Sequence, residues 1–232
     1  MQGEAWILNN LGLAYYDLQR YQDCVDCYLR ALEIRRQVED RFGQAQTLHN
    51  LGNGYQGLEQ LEAALLCFQN AFEVFQDIHN QWGQGLSLNG LGEINRRLGH
   101  FEKGLGYFQA SLTIRCTIGD KHGEGHSLYD MGETYRQIRV FEQARSHLQQ
   151  ALAVRRDLGD RQGEAKALLS LGQVLLETRE LAAARDAWRL AHDILEALGD
   201  PEVIEAAALL RGLGDFNPGA VPGPNNRLSS TY

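Results

Sequence analysis

Few residues in this 232-residue chain stand at spacings that chemistry needs. Cys24 and Cys27 have the spacing of a redox pair or half a zinc site, but no second pair accompanies them. Cys24 also falls on a small, core-facing helical position, so the pair is read as core. His122 and His126, four apart, would face one metal from a helix. Glu124 between them is not placed as in His-Glu-x-x-His and no third ligand is evident, so they read as a joint residue and a helix-surface residue. Gly83-Gln84-Gly85 and Gly123-Glu124-Gly125 begin helices with no strand before them, and no Gly-Lys-Ser/Thr occurs, which argues against a dinucleotide or phosphate loop. No Ser, His and acid combination stands out. The expectation is a chain with no catalytic residue, no metal and no cofactor. What remains is a set of amides, Asn9, Asn10, Asn50, Asn53 and Asn89. Each costs a helix interior roughly 0.5 kcal/mol relative to Ala. An amide presents a donor and an acceptor together, which suits the backbone of an extended peptide.

The elements that would carry these amides follow from a period. Gly12, Gly52, Gly92, Gly132 and Gly172 are spaced by forty residues without a slip. Four before each stands Leu8, Leu48, Leu88, Leu128 or Leu168, and one before it Leu11, Leu51, Leu91, Met131 or Leu171. Three after come Tyr15, Tyr55, Asn95, Tyr135 and Leu175. These offsets make one apolar stripe of a helix. A second stripe begins twelve after the glycine with the small residues Cys24, Ala64, Gly104, Ala144 and Ala184. It continues at sixteen with Tyr28, Phe68, Phe108, Leu148 and Trp188, and at nineteen with Ala31, Ala71, Ser111, Ala151 and Ala191. Each repeat therefore reads as two antiparallel helices, which cross closely where one presents Gly or Ala and a large side chain fills the space beside the contact. Asp40, Asn80, Asp120, Asp160 and Asp200 fall where a side-chain oxygen caps the next helix. Gly119, Gly159 and Gly199 suit left-handed helix ends, and Pro201 suits a first helical position.

One hairpin cannot bury both its faces, so the hairpins stack into a continuous core. The expected organisation is five repeats within 1–200 (3–42, 43–82, 83–122, 123–162 and 163–200), a capping helix over 201–214 as the first helix of a sixth repeat, and a flexible tail over 215–232. The apolar run from Ala206 to Leu210 and the near-immediate start of the first helix suggest an excerpt of a larger protein or a truncated array. Both also expose apolar ends that could associate end to end.

The pattern Leu8, Leu11, Gly12, Tyr15, Cys24, Tyr28 and Ala31, with its equivalents, resembles the tetratricopeptide repeats. The period of forty and the missing proline near the repeat end depart from the usual form. They are similar to the repeats of Pins/LGN polarity adaptors, kinesin light chains and bacterial regulators of the AfsR type. The resemblance implies an all-α, right-handed α-solenoid whose first helices line a concave groove, and a non-catalytic scaffold that binds a peptide or protein segment there. A sensor arm of a larger signalling or transcriptional regulator is the alternative.

In such a fold the groove positions lie three before, one after and four after each glycine, with the residue two before alongside. The candidate contacts are Asn9, Asn10, His49, Asn50, Asn53, Gln56, Asn89, Glu93, Arg96, Arg97, Tyr129, Asp130, Glu133 and Arg136. Asn50-Leu51-Gly52-Asn53 matches a motif whose asparagines contact bound peptides in the related adaptor repeats. Glu93 with Arg96 or Arg97, and Glu133 with Arg136, also fit ordinary intrahelical ion pairs.

Composition bounds the partner. The chain has 44% apolar and 22% charged residues and a net charge of -8, which argues against nucleic acid held through phosphates. Residues 43–82 carry -4 and residues 83–122 carry +2, so a partner along the groove meets both signs. Four scattered cysteines point to a reducing compartment. No apolar run approaches the roughly 20 residues of a membrane span, and the start lacks a signal-peptide pattern, so the expected setting is cytoplasmic, away from the membrane.

Overall fold

The computed structural model describes residues 2–213, and the expected tail over 215–232 lies outside them. The described residues form eleven helices and no strand. Helices α1 (Gln2–Asp17) and α2 (Tyr21–Gln37) make the first hairpin, α3 (Arg41–Gly57) and α4 (Leu61–Asp77) the second, and α5 (Gln81–Arg97) and α6 (Phe101–Ile118) the third. The fourth is α7 (Lys121–Gln137) with α8 (Phe141–Asp157), and the fifth α9 (Arg161–Glu177) with α10 (Leu181–Leu198). Helix α11 (Val203–Gly212) follows. Each helix packs on the one before and the one after it.

Glycine against a large ring sets the crossing within each hairpin. A Cβ on Gly12, Gly52, Gly92 or Gly172 would come within 2.8 Å of Tyr28, Phe68, Phe108 or Trp188, and on Gly132 within 2.7 Å of Leu148. Only hydrogen fits there, and the five large side chains are buried to 1% exposure or less. Cys24 belongs to this core. Burial pushes its thiol up to about 11, which keeps it protonated, and Cys24, Cys27 and Cys67 are all free and buried.

The joints repeat every twenty residues. Gln19, Glu39, Glu59, His79, Arg139 and Arg179 hold φ between 54° and 65°, and Gly99, Gly119, Gly159 and Gly199 hold the same left-handed turn. Asp40, Asn80, Asp120 and Asp160 each accept from the amide three residues on, at 2.7–2.9 Å, and so cap α3, α5, α7 and α9. Asp200 differs. Its Oδ1 accepts from Glu202 N at 2.9 Å within a turn, so Pro201 precedes α11 and does not open it. Helix α11 lays Ala206 and Leu210 against the fifth hairpin, where both are buried, and leaves Ile204 exposed.

At the other end no hairpin among the described residues covers α1. Leu11 is 41% exposed, whereas its equivalents Leu51, Leu91, Met131 and Leu171 are at most 8% exposed beneath the preceding hairpin.

Candidate functional site

The first helices of successive hairpins touch one another: α1 with α3, α3 with α5, α5 with α7 and α7 with α9. The second helices are spread further apart, so the layer of first helices lies on the inside of the curve. Its surface carries a ladder that no spacing of forty reveals. Asn50 Nδ2 donates to Asn9 Oδ1 (3.2 Å), Asn89 Nδ2 to Asp130 Oδ2 (2.8 Å) and Ser170 Oγ to the Tyr129 hydroxyl (3.3 Å), each across forty-one residues. Ser127 Oγ also donates to Asn89 Oδ1 at 3.1 Å. Much of the amide set is thus engaged in joining repeats, which accounts for Asn within helices independently of any ligand.

The predicted residues divide among three cavities. Asn9, His49 and Asn50 line one of about 180 Å³ with Trp82 and Leu86. His49, Asn53, Gln56, Asn89 and Glu93 line a second, of about 380 Å³, which shares Trp82 and Leu86. Tyr129, Glu133 and Arg136 line a third, of about 500 Å³, with Lys166, Ser170, Gln173 and residues of α11. Four predicted residues line none of these. Asn10 is exposed on α1. Arg96 is held by both oxygens of Glu93, at 2.9 and 2.7 Å. Arg97 turns to the previous repeat, donating to the Gln56 carbonyl at 3.4 Å and to the Glu59 carboxylate. Asp130 is taken up by the ladder. Glu133 and Arg136 form the expected intrahelical pair, at 2.8 Å.

Two sets of lining residues escape a reading confined to one turn around the glycine. Trp82 and His122 stand ten before it, and Gln46, Leu86, His126 and Lys166 six before it, one and two helical turns further along the same face. On the second helices two more lining residues, Phe75 and Arg115, belong to a repeating buried position. Arg35, Phe75, Arg115, Arg155 and Leu195, twenty-three after each glycine, are all at most 6% exposed. The first four of these side chains cover the first turn of the next repeat, where a Cβ on Gly43, Gly83, Gly123 or Gly163 would collide with them. The exact spacing of these arginines was the available signal, but a buried arginine reads as a surface residue until its neighbours are known.

Burial and charge tune the centre of this face. Burial, assisted by the Arg115 charge, lowers His49 to about 4 and keeps it neutral. Asp130 moves the other way. Desolvation raises it to about 6 against the opposing pull of the Asn89 bond, Arg96 and Arg115.

Stacked helical hairpins with an inner, amide-bearing face that closes over shallow cavities define a helical repeat protein. The tetratricopeptide repeat family model matches residues 3–77 and 84–157, more than half of the chain. The chain belongs to the tetratricopeptide repeat family. Among curated proteins none matches its sequence significantly. Solved structures share the fold at low identity. BtubC from P. vanneervenii is 16% identical with a TM-score of 0.73, over 97% of this chain and 85% of that one. A Rap protein complexed with Competence and Sporulation Factor is 17% identical with a TM-score of 0.69, over 92% of this chain and 63% of that one. A signal transduction ATPase with a tetratricopeptide repeat sensor, from Pyrococcus horikoshii, is 19% identical with a TM-score of 0.76, over 91% of this chain and 33% of that one. No described helix is long and apolar enough to cross a membrane.

Proposed function

We propose that this chain is a non-catalytic interaction scaffold that takes a peptide or protein segment along its inner face. The observation that carries this is the run of cavities between adjacent first helices, lined by Asn53 and Gln56, by both signs of charge and by the apolar Trp82 and Leu86. A segment lying across α3, α5 and α7 meets amides for its backbone and apolar walls for its side chains. The Rap complex with its factor supports a partner-binding role, and the sensor repeats of the Pyrococcus ATPase support the second reading, a regulatory arm of a larger protein. The uncovered face of α1 at Leu11 supports self-association through that end.

Selection of random displayed peptides against the intact chain tests the groove. A selected peptide should lose about tenfold in affinity when Asn53 and Gln56 are both changed to Ala, since each hydrogen bond contributes roughly 0.5 to 1.5 kcal/mol. Charge reversal of Arg136 should change which peptides are selected. Peptides indifferent to all three substitutions would place the site on the outer layer or at the ends.

A further inference from the structure

Along α1, Glu4, Ile7 and Leu11 form one exposed stripe, with Ile7 60% and Leu11 41% exposed. In the later first helices the same stripe looks at the preceding hairpin. Thr47, Ser87, Ser127 and Ala167, the equivalents of Ile7, are fully buried beneath it. Glu164, the equivalent of Glu4, accepts from Arg156 Nε of the preceding hairpin at 2.8 Å. Gly43, Gly83, Gly123 and Gly163 lie under side chains of that hairpin, whereas a Cβ on their equivalent Gly3 would meet nothing within 4 Å. The α1 stripe is therefore furnished for a covering helix that brings a basic residue to Glu4. Ile7 sets a further condition. It is large where its four equivalents are small, so the covering helix must be notched opposite it.

Helix α11 meets both conditions. Ala206 and Leu210 hold it on the fifth hairpin, and the side turned away from that hairpin presents Ile204, Ala208 and Arg211, all exposed. Counted from the charge, Glu4 is followed at three and then four residues by Ile7 and Leu11. Counted backwards from Arg211, Ala208 and Ile204 stand at the same steps. Two helices laid antiparallel, as consecutive helices are throughout the stack, bring these three pairs opposite one another in a single alignment.

We propose that the α1 face receives α11 of a second copy of this chain, with Glu4 opposite Arg211, Ile7 seated over Ala208 and Leu11 against Ile204. One alignment satisfies charge, shape and apolar burial together, which an α1 face meeting a second α1 face does not, since Ile7 and Glu4 would then lack a notch and a basic partner. This contact rests on the self-association reading above and supplies its second surface. It joins unlike faces, so a pair of copies still presents one free face of each kind and assembly continues past the dimer. A contact of one helix with one helix falls in the class below roughly 1,200 Å², so the copies exchange and the assembly grows with concentration.

Sedimentation velocity of the full chain over a range of concentrations tests this, with two variants that each close one face, Ile7→Lys on α1 and Ala208→Glu on α11. Both positions are exposed, and circular dichroism checks that each variant is as helical as the parent. Each variant alone should stay monomeric where the parent associates. Their equal mixture should form dimers and nothing larger, because only one complementary pair of faces survives. Arg211→Glu should weaken association at least tenfold, and Glu4→Arg added in the same chain should restore most of it. These two exposed charges carry the test if a substitution at Ile7 or Ala208 disturbs its helix. If Ala208→Glu and Arg211→Glu associate as the parent does, or the mixture stays monomeric, the pairing with α11 is overturned. Loss on Ile7→Lys alone then leaves self-association through α1 standing without it. A parent that is monomeric at every concentration overturns both.

Discussion

Replacing Asp130 with Asn removes a proton-binding site from the middle of the inner layer and leaves the outline of the side chain intact. Desolvation holds this carboxyl at about 6 in the fold, with Asn89, Arg96 and Arg115 pulling it down and Glu93 pushing it up. An unfolded Asp releases its proton near pH 3.9. Between about pH 4 and 6 the folded protein therefore retains a proton that the unfolded chain has lost, stability falls as pH rises through that window, and the full cost is present above it. Two pKa units at 1.36 kcal/mol each set a ceiling of about 3 kcal/mol, and the partial exposure of the side chain brings the expected cost to about 1 to 3 kcal/mol. Asp130→Asn should match the parent near pH 4 and exceed it by that amount at pH 7. His49 has the opposite sign. Because it is lowered to about 4 in the fold, the unfolded chain takes up a proton below about pH 6.5 that the folded chain refuses, and stability is lost on acidification. His126 is lowered as well, by desolvation and then by Arg155, and contributes less because its side chain is exposed and screened by solvent. In the parent these contributions offset that of Asp130, so the variant should lose stability more steeply below pH 6. Urea unfolding followed by far-ultraviolet circular dichroism at intervals from pH 4 to 8 measures the difference. A difference that is flat with pH, or that grows toward acid, would refute the assignment of this proton to Asp130.

Further outcomes follow from packing. Gly92→Ala puts a methyl within 2.6 Å of Phe108 and should cost about 1 to 3 kcal/mol, with Phe108→Ala less damaging in that background than in the parent, measured as a double-mutant cycle. His79→Gly relieves a left-handed, exposed residue at φ 54° and should stabilise by about 0.5 to 1 kcal/mol, read as a higher Tm; an unchanged or lower Tm would contradict the strain argument. Sedimentation should show concentration-dependent association of the parent that Leu11→Lys with Leu18→Glu removes, and a parent that is monomeric throughout would dismiss the α1 face as an interface. Leu210 is unsuitable for this experiment, since it is buried against the fifth hairpin and its substitution would loosen α11 itself.

The period of forty, the antiparallel hairpins, the glycine against the ring and the caps at Asp40, Asn80, Asp120 and Asp160 were all legible in the chain. Each is a local matter. It depends on residues within one helix, or on two helices joined by a turn too short to allow another arrangement, so residue type and offset suffice. Even here a single proline misled, because Pro201 satisfies the requirements of a first helical position and of a turn equally well, and the Asp200 bond to Glu202 N decided for the turn.

What the sequence determined by itself was therefore the repeat and the face that its first helices turn toward one another. Which side chains on that face remain available was decided only by the distance between neighbouring first helices. That distance pairs residues forty-one apart, ties Asn50 to Asn9 and Asn89 to Asp130, and turns Arg97 toward Glu59. It also brings Arg115, a second-helix residue, beside His49 where glycine at 90 breaks the ladder. A periodicity records what is the same in every repeat. The cavity at His49 and Arg115 arises where one repeat differs from the others, and that difference acquires meaning only when the helices are set side by side.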